Sequence, residues 1–176
     1  MRHKMASVVE RAQQAASIVA DAGGQLVGRT RFQKIAYLLE VAGLGDGFDF
    51  EYRHYGPFSE ALAESVSNAT LLGLLGEEKR ATSWGGVYSV YQFDNTRDHQ
   101  DARPDRRREL ISELINTNSV QLELAATAVF LDRKNYDDPW EEVSRRKPEK
   151  SSPENLAGAK ALLASLDRFD VSLSEG

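Results

Sequence analysis

The sequence predicts a mainly α-helical fold with a small antiparallel β-hairpin or three-stranded sheet. Its first half reads as winged-helix-like and its second half as a helical extension. Three observations carry this. Apolar residues recur at helical spacing through most of the chain, one segment alternates with period two, and the pair Gly85-Gly86 separates two short β-prone runs.

Over 5–22, Val8, Ala12, Ala15 and Val19 share one helix face, and Gly23-Gly24 stops the helix. A second helix is expected to open at Thr30, its hydroxyl capping free amides while Gln33 reaches back, with Phe32, Ile35, Ala36, Leu39 and Ala42 as its stripe. Gly43 and Gly45 end it. Over 48–55, Phe48, Phe50 and Tyr52 alternate with Asp49, Glu51 and Arg53, the pattern of a half-buried strand. Gly56-Pro57 should break that strand, with proline in the first turn of a helix over 58–72 that turns Phe58, Leu62, Val66 and Ala69 inward. Runs 78–84 and 87–93 then form a hairpin closed by a tight two-residue glycine turn.

The polar stretch 95–103 reads as a connector. Four helices follow: 104–116, 120–133 behind an Asn118 or Ser119 cap, a short one opened by Asp138-Pro139 and stopped near Lys147-Pro148, and a last one opened by Ser152-Pro153. The expected organisation is a winged-helix-like half at 1–94, the connector, and an extension at 104–170 packed on that half in one compact domain. A tail at 171–176 should fray after Phe169.

At 176 residues the chain can bury a substantial core without staples, and with no cysteine it has no disulfide, thiolate metal site or thiol nucleophile. Short apolar runs and a polar start argue against a membrane span or signal peptide, so cytoplasm is the expectation. A net charge of −5 repels nucleic acid and membranes on average.

No catalytic or cofactor motif is present. Of His3, His54 and His99, the first and last fall in segments too loose for a rigid base, and the glycine pairs serve a helix stop and a turn. An enzyme would need a deep pocket with converging polar groups. The acids Asp137, Asp138, Glu141 and Glu142 are better explained by helix capping than by a metal.

DNA binding is the main rival to protein binding. The helix over 58–72, however, holds Glu60 and Glu64 and no lysine or arginine. Phosphate contacts would fall to Lys79, Arg80, Arg103, Arg106, Arg107 and Arg108. Protein binding has simpler support: Trp84 at a hairpin tip, where little core lies beneath it, and the aromatic corner His54-Tyr55-Gly56-Pro57-Phe58. Trp84, His54, Tyr55, Glu60 and Glu64 are the expected partner-binding residues.

Gln33-Lys34-Ile35-Ala36-Tyr37-Leu38-Leu39, followed by Phe50-Glu51-Tyr52-Arg53-His54-Tyr55-Gly56-Pro57-Phe58-Ser59-Glu60-Ala61-Leu62, resembles the YwgA and Panacea (SocA-like antitoxin) group. The pattern there is a "QK…YLL" helix and an aromatic strand running into "YGPYS…L". Leu122-Glu123-Leu124-Ala125, Arg146-Lys147-Pro148 and Lys160-Ala161-Leu162 extend the likeness, which spans about positions 30 to 165. The chain departs from it at Phe58, where tyrosine or valine is usual. The resemblance implies a cofactor-free, non-catalytic regulator from a phage- or defence-related setting. Such a protein binds a partner such as a cognate toxin, as an antitoxin or proteolytic adaptor; self-association is left open. Gln33, Lys34, Tyr37, Gly56, Pro57, Phe58 and Ser59 are then its structural motif, with Tyr55-Gly56-Pro57 a tight strand-to-helix corner and Tyr37 packed close by.

Overall fold

The computed structural model describes residues 7–94 and 103–174. His3, His99 and the expected connector, apart from Arg103, lie outside the described residues. Helix α1 (Val8–Asp21) is followed by strand β1 (Gln25–Val27) and helix α2 (Arg29–Val41). Strands β2 (Glu51–Arg53) and β3 (Gly56–Phe58) lead into α3 (Glu60–Leu71), and β4 (Gly76–Ala81) and β5 (Val87–Gln92) come next. Then follow α4 (Asp105–Ile115), α5 (Ser119–Arg133), α6 (Pro139–Arg146), α7 (Pro153–Ser165) and a single 3-10 turn, Asp167–Phe169. The fold is thus mainly helical, as the periodicity predicts. One antiparallel sheet has the order β1-β5-β4, and β2-β3 form a separate two-stranded ribbon. No described helix is long and apolar enough to cross a membrane.

Side-chain capping starts α5, α6 and α7 where the sequence places it. Asn118 Oδ1 accepts from the amides of Val120 and Gln121, Asp138 Oδ1 from Glu141, and Ser152 Oγ from Asn155. The expected Thr30 capping box is absent. Gly28, at φ 96°, is the cap of α2 and its amide donates to Ser89 O at 2.8 Å. Leaving β1 in this way starts the helix before Thr30 and frees Gln33 for another task. Strand β1 itself escapes the sequence pattern because only three residues separate its flanking glycines.

Two turns also differ from expectation. Gly56-Pro57 opens no helix: Gly56 turns at φ 94°, Pro57 pairs with Tyr52 inside β3, and the helix begins at Glu60. Proline is tolerated in such a ribbon because an edge needs no amide donor there. The β4–β5 connection spans 82–86 rather than the two glycines. Thr82 N donates to Gly86 O at 2.8 Å and Gly86 N to Thr82 Oγ1 at 2.7 Å, so the threonine hydroxyl closes the wider loop.

Helix α5 lies at the centre. All eleven residues Leu122–Asp132 are buried, which makes this stretch enclosed on every face rather than amphipathic. Around it one apolar cluster joins Ile18, Leu38, Leu62, Leu110, Leu163 and Phe169 from both halves of the chain. Order continues past Phe169, where fraying was expected. Val171 is fully buried, and Ser174 donates through N and Oγ to Asp132 Oδ2 at 3.0 and 2.9 Å.

Arg107 locks α4 to α1. Its guanidinium, almost fully buried, meets Asp21 at 2.7 Å, Asp46 at 3.1 Å, Ser17 Oγ at 2.8 Å and Leu44 O at 3.0 Å. This removes Arg107 from the residues expected to serve phosphate, since a buried, fully paired guanidinium has no face left for it. Arg107→Ala leaves Asp21 with Arg103 alone, so the expected loss is about 3 kcal/mol of unfolding free energy. Urea denaturation checks it, and a loss below about 1 kcal/mol, the scale of an exposed pair, would refute the lock.

Candidate functional site

The residues of the signature converge at one junction. From α2, the Gln33 amide bridges the backbone of Ser59 in both directions: Nε2 donates to Ser59 O at 3.0 Å, and Oε1 accepts from Ser59 N at 2.8 Å. Ser59 Oγ in turn accepts from Leu62 N at 3.1 Å and so caps α3. One turn position on, Lys34 Nζ donates to Pro57 O at 2.7 Å while being 1% exposed. Helix α2 therefore fixes both the ribbon and the start of α3 through a "Gln-Lys" pair. Tyr37 packs its ring on Phe50 at 5.3 Å and Phe130 at 5.9 Å between centroids. Its burial raises the phenol's pKa above the usual value. The tight turn itself joins two strands rather than a strand and a helix.

Under this junction sits a buried charge cluster. Glu123 on α5, 3% exposed, meets Lys150 Nζ at 2.8 Å and Lys147 Nζ at 3.2 Å. Lys147 also donates to His54 O at 2.9 Å, tying the α6–α7 connection to the ribbon turn. Lys34 feels the same groups. Its ammonium is pushed down to about 8, first by burial and then by Lys147 and Lys150, against the pull of Glu123. Burial likewise lowers Lys147. The sequence singles out Glu123 only within the resemblance and Lys147 there and at a helix stop, and it assigns neither a charge partner. The available signal is a lone glutamate inside the apolar run Leu122-Glu123-Leu124-Ala125-Ala126.

The ribbon turn fits closely over α5. A Cβ on Gly56 would run into Thr127 Oγ1 and lie 3.5 Å from Thr127 Cβ, besides needing a backbone φ of 94°. The Thr127 hydroxyl already donates to Glu123 O at 2.7 Å.

The expected partner-binding residues are all at the surface. Trp84 is 83% exposed on the hairpin, and Tyr55 is exposed with the Lys150 ammonium 4.8 Å from its ring centroid. His54 is exposed beside it, its carbonyl held by Lys147. Glu60 and Glu64 lie on the outer side of α3, where Glu60 pairs with Arg53 at 3.0 Å. Among the residues expected to hold phosphate, Arg103 meets Asp21 at 2.7 Å, Arg106 donates to Arg168 O, and Arg108 pairs with Asp105. Arg80 pairs with Glu78 at 3.1 Å on the exposed strand β4, and Lys79 is exposed next to it.

Between α3, the start of α2 and the sheet runs a groove of 570 Å³. Gln33, Lys34, Tyr55 and Phe58 of the signature line it together with Leu62 and Val66. Sequence reading misses it, because its walls come from elements distant in the chain. Among the described residues no three His, Asp or Glu side chains gather as metal ligands would.

Two outcomes follow. The unfolded chain binds a proton at Lys34 that the folded chain gives up between pH 8 and the ordinary lysine value near 10.5, so Lys34's contribution to stability rises with pH across that window. Denaturation of wild type and Lys34→Met at pH 7.5 and pH ~10 should show wild type gaining relative to the variant; a constant difference would refute the depressed value. Gly56→Ala should destabilise by about 2 kcal/mol or more through the φ and the Thr127 clash, and Thr127→Ala should recover part of that loss in the double variant. Full additivity would mean the two residues do not meet.

No family model matches the chain, and no solved structure matches it. A search of curated proteins finds one from Bacillus subtilis (strain 168) named Uncharacterized protein YwgA. It is 26% identical over 126 residues, covering 68% of this chain and 74% of the relative. The chain is thus similar to YwgA over about two thirds of its length, and its signature residues gather at the α2–β3–α3 junction.

Proposed function

We propose that this chain is a non-catalytic, protein-binding regulator of the antitoxin kind, which neutralises a partner protein or delivers it for proteolysis in a phage- or defence-related setting. One observation carries the reading. The hairpin holds large apolar side chains out in solvent, Trp84 at 83% and Val87 at 67% exposure, left uncovered by the described residues. Isolated exposed apolar residues are ordinary, but a bare tryptophan next to a bare valine on a projecting hairpin is the kind of surface a partner buries. The likeness to the YwgA and Panacea group supports the same reading.

The basic side chains argue in the same direction. Arg107 is spent inside the fold, Arg103 and Arg108 are paired with acids, and α3, which would enter a DNA groove, presents glutamates. A DNA reader needs unoccupied cations where phosphate lies.

The test is co-expression with the product of the adjoining gene. Expected are relief of that product's toxicity and a stable complex on size-exclusion chromatography. Trp84→Ala should weaken the complex by about 2 kcal/mol, as a hot-spot tryptophan does, with the melting temperature unchanged. Undiminished toxicity with no complex would overturn the reading, and so would a strongly salt-dependent shift of promoter DNA by the chain alone.

A further inference from the structure

The groove beside α3 differs from the hairpin surface in kind. Along α3 its wall is Leu62, Ala63, Val66, Ser67, Thr70 and Leu71. These recur at the i, i+1, i+4, i+5 spacing of one continuous stripe, so the wall runs about 14 Å along the helix axis. That is two to three helical turns. Phe32, Phe58 and Tyr91 form the opposite wall, with Tyr91 packed edge-on against Phe32 at 5.3 Å.

The charged and amide side chains that line the groove already have partners. Gln33 is bound to Ser59, Lys34 to Pro57, and Arg29 to Glu77 at 3.2 Å, while Glu77 accepts from Ser89 Oγ at 2.6 Å. A charged small molecule would have to break these bonds to be recognised by those groups. An apolar surface would only displace water from the walls, which is the favourable exchange.

The outer rim is acidic. Glu60 and Glu64 each stand three residues before a groove position, Ala63 and Ser67, and so neighbour it on the helix surface. Glu60 shares Arg53 with Glu51, leaving that trio one negative charge, and α3 contains no lysine or arginine.

We propose that this groove receives the apolar face of an amphipathic helix from a partner protein, a helix whose flank carries lysine or arginine. The proposal rests on the protein-binding reading and names the element that reading leaves unspecified. Apolar positions at i, i+3 or i+4 and i+7 would enter between α3 and the sheet, and the basic flank would meet Glu60 and Glu64.

A phage-displayed library of peptides about 16 residues long, roughly the span of four helical turns, selected on the full chain provides the test. Expected are peptides with that apolar spacing and a basic flank, helical when bound by NMR. Their Kd should rise at least ~10-fold in Ser67→Arg and in Glu64→Lys, at unchanged melting temperature, since both side chains are exposed. Recovered peptides that bind in extended form, or whose affinity ignores both substitutions, would overturn the proposal, as would occupation of the groove by a second copy of the chain. Failure of the two readings stays distinguishable. A neighbouring gene product whose binding depends on Trp84 but ignores Ser67→Arg sinks the groove alone. Groove peptides without any toxin relief sink only the antitoxin role.

Discussion

Glu123 is a carboxylate placed in the middle of a helix that is buried on all sides, and an ion so placed cannot be left without counter-charge. Lys147 and Lys150 come to it from the α6–α7 connection, and Lys34 comes near it from α2. Each of these lysines has its own second engagement: Lys147 with His54 O, Lys34 with Pro57 O, and Lys150 with the face of Tyr55. The demand of one buried charge is thereby distributed to four parts of the chain, and the ribbon turn is where their responses meet. Replacing such a cluster with apolar residues can leave stability intact elsewhere, but removing one member strands the rest.

The same accounting shapes the outside. Among the described residues the buried cations Lys34, Arg107 and Lys147 are matched in number by the buried acids Asp21, Glu123 and Asp132, so burial cancels and the acidic excess of the described residues stays where solvent and partners meet it. The acidic α3 and the bare hairpin are then complementary features of one exterior: a mild field that favours basic partners, and apolar area to hold them once they arrive.

Much of the fold is legible in the sequence because its signals are local. Caps at Asn118, Asp138 and Ser152, and glycine stops after the early helices, act within a few residues and are found where expected. What escapes is set by distance. Gln33 looks like a capping residue until Ser59, 26 residues away, offers both a donor and an acceptor. Arg107 looks like one of a run of basic surface residues until Asp21 and Asp46 approach it. Pro57 reads as a helix opener because nothing local reveals that β2 and β3 pair across it. The candidate site follows the same rule. Its signature residues stand out in the chain, whereas the groove they line and the charge that supports them exist only once α2, α3 and α5 are assembled.

The hairpin carries one further implication. Strand β1 pairs with β5 along Val90, Tyr91 and Gln92, and Gly28 adds a bond to Ser89 O, so among the described residues the ribbon of β4 and β5 has an open edge on each side from Tyr88 to the tip. Open edges invite pairing with other strands, and chains that keep them must make such pairing unattractive. Here the outer strand reads Glu77-Glu78-Lys79-Arg80, two acids followed by two bases, charges that a stacking strand would have to desolvate. The projecting hairpin can therefore hold a tryptophan in water without becoming a seed for self-templated sheet growth, and charge on its edge is what keeps its stickiness confined to its tip.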